Sequence, residues 1–344
     1  MSETQLSGTE KTATSGVAGA VTTAGVGTGT AAEASMLRVA AKRARADGVV
    51  ELELVGPPGR RLRDWAPGAH IDLQLPNGAT RQYSLCGDRW DPLRYRVAVL
   101  REPDGRGGSA AVHDQLAVGD EIGVGGPRNN FPLVPSEQYL FVAGGIGITP
   151  LLPMVVQADL LGADWRLLYG GRSRTSMAYL DELAGYGDRV VVAPQDESGL
   201  LDLPGFLGTP RSGVRVYACG PAPLLDAMET ACADWPEHTL RTERFVSAEP
   251  AGPARRTPFD VELARTGVTV RVGPERTVLD AVAEAGVDVL SSCRSGVCGT
   301  CETEVLSGDP DHRDALLTDH ERAAGDCMFI CVSRSRGDRL VLDL

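Results

Sequence analysis

The pattern of hydrophobic and polar positions changes twice along the chain. Between about residues 36 and 128, short runs alternate apolar and polar side chains, with Pro-Gly and Asn-Gly turns between them. Three such runs are 49–55, 70–75 and 95–100. Alternation with a period of two is typical of strands that bury one face, and the close spacing of these strands predicts an antiparallel barrel.

Beyond about residue 138 the apolar runs become continuous, and helix-like segments separate them. The runs are 139–143, 166–169, 189–193 and 214–218. Strands that are apolar on both faces are typical of a parallel sheet covered by helices. After residue 257, the runs 259–263 and 268–272 predict a hairpin, and 278–285 predicts a helix.

These changes predict a multidomain protein. We expect an antiparallel β-barrel over residues 36–134, an α/β unit with a parallel sheet over 135–246, and an α+β unit over 258–344. A linker rich in Pro, Ala and Arg, 247–257, precedes the last unit. Residues 1–35 form a Gly/Ala/Thr/Ser tract with few large side chains to bury, so we predict a disordered tail there.

Charge narrows the choice of partners. The chain of 344 residues carries 46 acidic and 34 basic side chains, a formal net charge of −12. This acidic excess disfavours binding to nucleic acid, which requires a basic protein face. It is compatible with binding to a basic patch on a partner protein, or with a solvated acidic surface that binds no partner. No run approaches the ~20 apolar residues that cross a bilayer, and the first 34 residues lack signal-peptide features. We expect a cytoplasmic monomer that binds neither nucleic acid nor membrane.

The spacing of four cysteines carries the strongest chemical signal. Cys293, Cys298, Cys301 and Cys331 reproduce the plant-type C-x4-C-x2-C…C pattern. Three thiolates on one tight loop and a fourth from a distant strand can surround the two irons of a [2Fe–2S] cluster. A structural zinc site, the alternative, normally needs a second C-x2-C pair or a Cys/His mixture. The only C-x2-C pair here is Cys298/Cys301, so the spacing favours the iron–sulfur cluster.

The remaining cysteines are Cys86, Cys219, Cys232 and Cys327, which are scattered among apolar or turn residues. Isolated thiols of this kind are usually buried and reduced, which fits a reducing cytoplasm. Cys327 lies four residues before Cys331 and is a conceivable substitute ligand. Four ligands already complete the site, so we interpret Cys327 as a bystander.

A strand end and a glycine-rich turn in the barrel predict a flavin site. Arg81-Gln82-Tyr83-Ser84 ends a strand, and residues 104–109 open a helix-like segment about two dozen residues later. Such a turn offers backbone N–H groups to a phosphate, Ser109 adds a hydroxyl, and Arg81 or Arg106 adds a countercharge. This single phosphate site, with no evident adenine pocket, predicts FMN. Each motif alone also occurs in barrels that bind no ligand.

Three strand ends in the α/β unit lie where open α/β sheets bind ligands. The first, 144–150, is a glycine turn that leads into a helix, and we expect Thr149 to cap this helix with Pro150 in its first turn. Pro150 occupies the position of the third glycine in the Rossmann fingerprint, so the match to that fingerprint is incomplete. It is weak evidence for a dinucleotide-binding Rossmann domain. The other strand ends are 169–174 and Cys219-Gly220-Pro221. Cys219 is either a packed core thiol or a site residue before an exposed turn.

Taken in order, these motifs resemble one family. Residues 81–84, 105–109, 144–150, 219–221 and the C-terminal cysteines look like the phthalate dioxygenase reductase and vanillate demethylase reductase group of the ferredoxin–NADP reductase superfamily. The resemblance covers about residues 36–344. It extends to 127–133, 311–314 and the closing residues 331–344.

The resemblance implies an NAD(P)H-dependent oxidoreductase with a flavin barrel, a nicotinamide domain and a β-grasp ferredoxin domain. It would pass electrons from NADH via FMN and a [2Fe–2S] cluster to an oxygenase. By the family pattern, the residues that hold FMN are Arg81, Gln82, Tyr83, Ser84, Ala98, Val99, Leu100, Arg106, Gly107, Gly108 and Ser109. Those that face the nicotinamide nucleotide are Gly145, Gly147, Thr149, Arg172, Cys219, Gly220 and Pro221. Ser84, Cys219 and Phe245 would serve hydride transfer, with Phe245 covering the flavin until nicotinamide enters.

Two alternatives stay open at this point. Arg172 and Arg174 could accommodate the 2′-phosphate of NADPH, and no acidic residue for an NADH ribose is evident, so NADH follows from the resemblance alone. The electron acceptor is a Rieske-type oxygenase or demethylase, or else a haem-thiolate monooxygenase. A non-enzymatic iron–sulfur carrier or sensor is a third hypothesis, against which residues 81–84 and 144–150 argue.

Overall fold

The computed structural model describes residues 35–103, 105, 107–245, 256–291, 293–297, 299–317 and 319–344. The predicted tail up to residue 34 and residues 247–255 of the predicted linker lie outside them, as do two predicted site residues, Arg106 and Cys298. In the described part of the chain, no helix is long and apolar enough to span a bilayer. Three main sheets, which belong to one compact unit, organise the fold.

Six antiparallel strands form the first sheet, as the alternating pattern predicts. They are β1 (Ser35–Ala46), β2 (Val49–Val55), β3 (His70–Gln74), β4 (Thr80–Ser84), β5 (Arg94–Leu100) and β6 (Glu121–Arg128). Their order is β4-β3-β6-β1-β2-β5. Along β2, Leu52 and Leu54 are fully buried in the barrel core while Glu53 between them is partly exposed. Helix α1 (Gly108–Asp114) packs on this core through Ala111 and Val112.

Five parallel strands form the second sheet, and the three central strands bury apolar residues on both faces. They are β7 (Gln138–Gly144), β8 (Asp164–Gly171), β9 (Val190–Pro194), β10 (Val214–Cys219) and β11 (Leu240–Glu243). The helices between them are α2 (Ile148–Leu160), α3 (Leu180–Leu183), α4 (Gln195–Ser198), α5 (Leu203–Leu207) and α6 (Ala222–Ala231). Short 3-10 turns cover Gly145–Gly147, Arg174–Ser176 and Ala184–Arg189. The strands lie side by side in the order β11-β10-β7-β8-β9. From β7 the chain first adds strands on one side of the sheet and then, with β10, on the other side. In such sheets the ligand-binding crevice lies at the carboxyl ends of the two strands where this change occurs, here β7 and β10.

The last unit is a mixed sheet that holds the cysteine loop. Its elements are β12 (Phe259–Leu263), β13 (Val268–Val272), α7 (Val278–Glu284), β14 (Glu302–Ser307), β15 (Pro310–Asp311), α8 (Asp319–Ala324), β16 (Cys327–Phe329), β17 (Arg334–Ser335) and β18 (Arg339–Leu342). The predicted hairpin corresponds to β12 and β13, and the predicted helix to α7. The C-terminal strand β18 lies in the centre, parallel to β12 and antiparallel to β14. The predicted multidomain class, with its antiparallel, parallel and C-terminal mixed sheets, is confirmed.

Candidate functional site

The barrel closes only narrowly between its two terminal strands. Among the described residues an isolated bridge, Leu85–Val97, joins the end of β4 to β5. Continuing its antiparallel register brings Ser84 opposite Ala98 and Tyr83 opposite Val99. Segments 81–84 and 98–100, which the sequence assigns to the flavin, therefore flank the same open seam of the barrel.

At one end of this seam Arg81 meets the glycine-rich turn. A Cβ placed on Gly108 would lie 2.7 Å from Cγ and 2.8 Å from Nε of Arg81, so only glycine lets the arginine cross the turn this closely. Gly107 has φ +77, a conformation that favours glycine. The Ser109 hydroxyl accepts a hydrogen bond from the backbone N–H of Glu102 at 3.0 Å. The structure thus brings Arg81 and the 107–109 turn together, as the sequence predicts.

The seam also holds polar groups that are affected by burial. Burial raises the pKa of Tyr83 to about 12, so its phenol is neutral at pH 7. The amide nitrogen of Gln82 is buried without a hydrogen-bond partner. Sequence reasoning missed His113, whose Nε2 donates to the carbonyl oxygen of Val99 at 2.9 Å and so occupies part of the β5 backbone. The one sequence feature that could have indicated His113 is its position on α1, the helix that follows the glycine turn.

At the switch point of the parallel sheet, the glycine turn packs directly on the end of β10. A Cβ on Gly147 would lie 2.2 Å from the carbonyl oxygen of Cys219, and one on Gly144 would lie 2.8 Å from Cδ of Pro221. Gly145 has φ +55 and no atom within 4 Å of its Cβ position. The predicted segments 144–150 and 219–221 therefore form one surface, with an open position at Gly145.

The prediction that Thr149 caps the helix is wrong. Helix α2 begins at Ile148, directly after the 3-10 turn, and its N-cap is Gly147, which offers no side chain. Thr149 lies inside the first helical turn, buried, and its hydroxyl donates to the carbonyl oxygen of Ile146 at 3.0 Å. The chain is already helical before Thr149 because Gly147 itself adopts right-handed helical backbone angles, φ −62 and ψ −5.

Next to this surface lie a buried thiol and a partly buried carboxyl group that the sequence revealed only in part. Cys219 is fully buried, and burial raises the pKa of its thiol well above the ordinary value. Glu243 on β11 is its partner in the parallel register. Burial raises the pKa of Glu243 to about 8, and one carboxyl oxygen has no hydrogen-bond partner. Phe245, two residues later, is 40% exposed. Sequence reasoning used Phe245 but missed Glu243, because its burial appears only in the folded sheet.

The end of β8 carries acids that the sequence did not associate with it. Arg174 donates from Nε and Nη2 to the two carboxylate oxygens of Glu197, at 3.0 and 2.7 Å. The backbone N–H of Asp196 donates to the carbonyl oxygen of Arg172 at 3.2 Å. The two arginines considered for a 2′-phosphate therefore lie beside two carboxylates from α4, and Arg174 is already paired.

Three of the four predicted cluster ligands meet in the C-terminal unit. Cys293, Cys301 and Cys331 are buried, and the Cys331 thiol is hydrogen-bonded with both others. These bonds hold the pKa of Cys301 below its ordinary value and raise that of Cys331. The backbone N–H groups of Ser295 and Val297 approach the Cys293 sulfur at 3.3 and 3.5 Å.

Convergent sulfurs with backbone donors suit an iron–sulfur cluster. Within the described residues no set of His, Cys, Asp and Glu side chains has the geometry of a metal site, and the fourth predicted ligand, Cys298, lies outside them. Cys327 is partly buried, and burial together with nearby carboxylates raises the pKa of its thiol to about 11.

Comparison with known proteins gives consistent matches. A family model for a 2Fe-2S iron-sulfur cluster binding domain matches residues 261–336. The chain is 47% identical over 310 residues to the phenoxybenzoate dioxygenase subunit beta of Ectopseudomonas oleovorans, covering 90% of this chain and 97% of the relative. It is 38% identical over 314 residues to the phthalate dioxygenase reductase of Burkholderia cepacia, covering 90% and 97%.

Solved structures agree. A phthalate dioxygenase reductase, described as a modular structure for electron transfer from pyridine nucleotides to [2Fe-2S], matches with TM-score 0.68 and 36% identity over 90% of this chain and 97% of its own. An intact type IV self-sufficient cytochrome P450 monooxygenase matches with TM-score 0.84 and 46% identity over 90% of this chain, which spans 41% of that protein. The chain therefore belongs to the phthalate dioxygenase reductase family, oxidoreductases that serve as reductase components of oxygenase systems.

Proposed function

We propose that this chain takes electrons from NADH and delivers them, through FMN and a [2Fe–2S] cluster, to a Rieske-type oxygenase or demethylase in a reducing cytoplasm. The observation that carries the proposal is the presence of three complementary features in one compact unit: the barrel seam, the switch-point surface at Gly147 and Cys219, and the converging cysteines. FMN, when bound, accepts a hydride's two electrons and releases them singly, which is what a one-electron cluster requires.

The seam supplies what an FMN needs at both ends. Arg81 and the backbone of the 107–109 turn form one positively polarised pocket, which matches a single phosphate. The unpaired Gln82 amide can donate to a ring carbonyl, and the neutral Tyr83 phenol can pack on or donate to the ring. Ser84, at the bridge, places a hydroxyl where we propose the reacting edge of the ring lies. Arg106 remains a candidate for the phosphate.

The switch-point surface suits the nicotinamide nucleotide. Gly145 and Gly147 leave backbone space for a pyrophosphate before α2. Cys219 and the protonated Glu243 lie at the end of the adjacent strands, where the buried Cys219 would lie next to the surface that receives the reacting ring and Glu243 could donate a hydrogen bond from its carboxyl group. Phe245 lies beside this pair and is exposed enough to move aside when the nicotinamide enters.

NADH, rather than NADPH, is favoured by the ion pair at α4. The guanidinium of Arg174 is already bound by Glu197, so its charge is largely neutralised before any nucleotide arrives. A 2′-phosphate would approach two carboxylates, Asp196 and Glu197, whereas a ribose 2′-hydroxyl can donate to one of them. Arg172 remains a candidate for the adjoining part of the nucleotide.

The electron acceptor has two candidates because two kinds of relative match equally well. The dioxygenase subunit is 47% identical and nearly the same length, which favours a separate oxygenase partner. The cytochrome P450 monooxygenase that contains a similar module is 46% identical over that module, which favours a haem-thiolate partner as the second candidate. Either partner would receive single electrons from the cluster that we assign to Cys293, Cys298, Cys301 and Cys331.

The test is reconstitution from purified components. The chain with its flavin and iron is mixed with NADH or NADPH and with either a Rieske oxygenase or a haem-thiolate monooxygenase, and product formation is measured. We expect FMN as the flavin released by heat, faster turnover with NADH, and product with the Rieske enzyme. FAD as the only released flavin, or product with the haem enzyme alone, would overturn the corresponding part of the proposal.

A further inference from the structure

The outer face of barrel strand β3 is buried, although a barrel strand normally turns its polar residues to water. Ile71 and Leu73 point into the barrel core, so His70 and Asp72 lie on the outside. They are nevertheless only 4% and 7% exposed. Arg128 of the neighbouring strand β6 donates to the Asp72 carboxylate at 2.6 Å and so covers part of this face. The burial of His70 needs a further neighbour.

The cysteine loop lies near this face of the barrel. The Cys293 sulfur is near enough to His70 to raise the pKa of the imidazole electrostatically, against the larger lowering by burial and by Arg128. Burial lowers the pKa of His70 to about 4, so the ring is neutral at pH 7, and its Nε2 is buried without a hydrogen-bond partner. Its neighbours in the sheet are Ser84 on one side and Arg128 on the other.

A second contact links the same two regions. Gly299, between the second and third cysteines of the loop, has φ +75, and a Cβ there would lie 3.1 Å from Nδ2 of Asn130. Asn130 lies just after β6. Arg128, the last residue of β6, is the sheet partner of His70. Two polar side chains of the barrel therefore lie near described residues of the loop, His70 near Cys293 and Asn130 beside Gly299.

We propose that His70 and Asn130 are positioning residues that hold the cysteine loop against the barrel and thereby fix the distance between the flavin seam and the cluster. This inference rests on the proposed function. His70 is the direct sheet partner of Ser84, so the residue nearest the loop and the residue at the seam are joined by one backbone pair. The rate of electron transfer falls steeply as the distance between donor and acceptor grows, so a contact that holds the loop on the barrel also helps to set that rate.

The test separates positioning from cofactor binding. Asn130→Asp keeps the size of the side chain and removes its donor; His70→Gln keeps a nitrogen near the Nε2 position, and His70→Phe removes it. In stopped-flow mixing of the holoprotein with NADH, we expect unchanged flavin reduction and cluster reduction slowed about tenfold or more in Asn130→Asp and His70→Phe, with partial rescue in His70→Gln. His238→Gln, at an exposed histidine of the α/β unit, is the matched control.

A readout independent of activity is amide hydrogen exchange across residues 293–301 and 66–72. We expect faster exchange in both segments in Asn130→Asp and His70→Phe, by about threefold or more, because the contact that protects them is weakened. Unchanged exchange together with normal cluster reduction would overturn the inference, as would loss of the cluster's absorbance or slowed flavin reduction, which would make these residues cofactor ligands. Failure of NADH to reduce the flavin in the unaltered protein would instead refute the proposed function. The hydrogen-exchange result would still test whether His70 and Asn130 hold the loop on the barrel.

Discussion

At the scale of single residues, Glu243 is the group whose state depends most on folding. Burial raises its pKa to about 8 from the ordinary 4.5, so the folded protein keeps a proton that the unfolded chain loses above about pH 5. The associated stability is complete below the unfolded pKa and is lost as pH rises through the folded one. We expect the free energy of unfolding to fall by about 2 kcal/mol between pH 6 and 9, and by much less in Glu243→Gln.

Denaturant melts followed at several pH values would measure this. Glu237→Gln, which changes an exposed glutamate in the same unit, is the control and should keep the pH dependence of the unaltered protein. If Glu243→Gln kept it as well, Glu243 would not be the group that titrates.

Cys219 tests whether a fully buried thiol serves hydride transfer or only packing. Cys219→Ala removes one sulfur from the core, which should cost about 1 kcal/mol, and we expect it to slow flavin reduction by NADH about tenfold. Cys232→Ala removes another buried thiol, 8% exposed at the end of α6, and should cost similar or less stability with normal reduction. Equal reduction rates in the two variants would make Cys219 a core thiol.

These residues also show the reach of sequence reasoning. The approach of Cys293, Cys301 and Cys331 to one another was predictable because their spacing is itself the signal, and the position of Cys219 at a strand end because a Gly-Pro turn follows it. Glu243 and the Asp196–Glu197 pair were missed, since their chemistry comes from neighbours that only the sheet and α4 bring together.

At the scale of elements, the approach of the α2 turn to β10 depends on one glycine. A Cβ on Gly147 would lie 2.2 Å from a backbone carbonyl oxygen, which cannot move without shifting the strand. Gly147→Ala should destabilise the protein by about 1–3 kcal/mol and weaken NADH binding, because the turn must separate from Cys219. Gly185→Ala, where nothing lies within 4 Å of the Cβ position, should change neither property. Calorimetric unfolding would measure the stability of each variant, and titration with NADH would measure its binding. If Gly147→Ala matched Gly185→Ala in both, the role given to Gly147 would be mistaken.

The strands and helices were largely predictable because their hydrophobic periods differ clearly between the barrel and the α/β unit. The start of α2 was not. The sequence predicts a helix that Thr149 caps, whereas α2 runs from Ile148 to Leu160, because a 3-10 turn of glycines leads into it without a side-chain cap. The packing of the cysteine loop on β3 was equally hidden, since nothing local in the sequence shows that His70 is covered.

At the scale of the whole molecule, the barrel and the α/β unit are joined by a dense polar contact. Arg96 on β5 donates from both terminal nitrogens to the two oxygens of Glu182, each at 2.9 Å. The Tyr179 hydroxyl meets the Cys86 sulfur at 3.3 Å, and the Tyr179 ring lies under the Arg96 guanidinium. A paired, buried contact of this kind predicts that these two units stay together when the C-terminal unit is removed.

A chain truncated after Ser247 should therefore fold and bind FMN. We expect it to keep NADH-dependent reduction of ferricyanide, which takes electrons directly from a flavin, and to lose delivery to an oxygenase, because the cluster we assign to Cys293, Cys298, Cys301 and Cys331 is absent. Residues 258–344 alone should carry a cluster that NADH does not reduce. Mixing the two pieces should restore only slow transfer, since His70 and Asn130 then meet the cysteine loop without the tether that keeps the local concentration high. Oxygenase turnover by the truncated chain at the full-length rate would show that electrons leave the flavin without passing through the C-terminal unit.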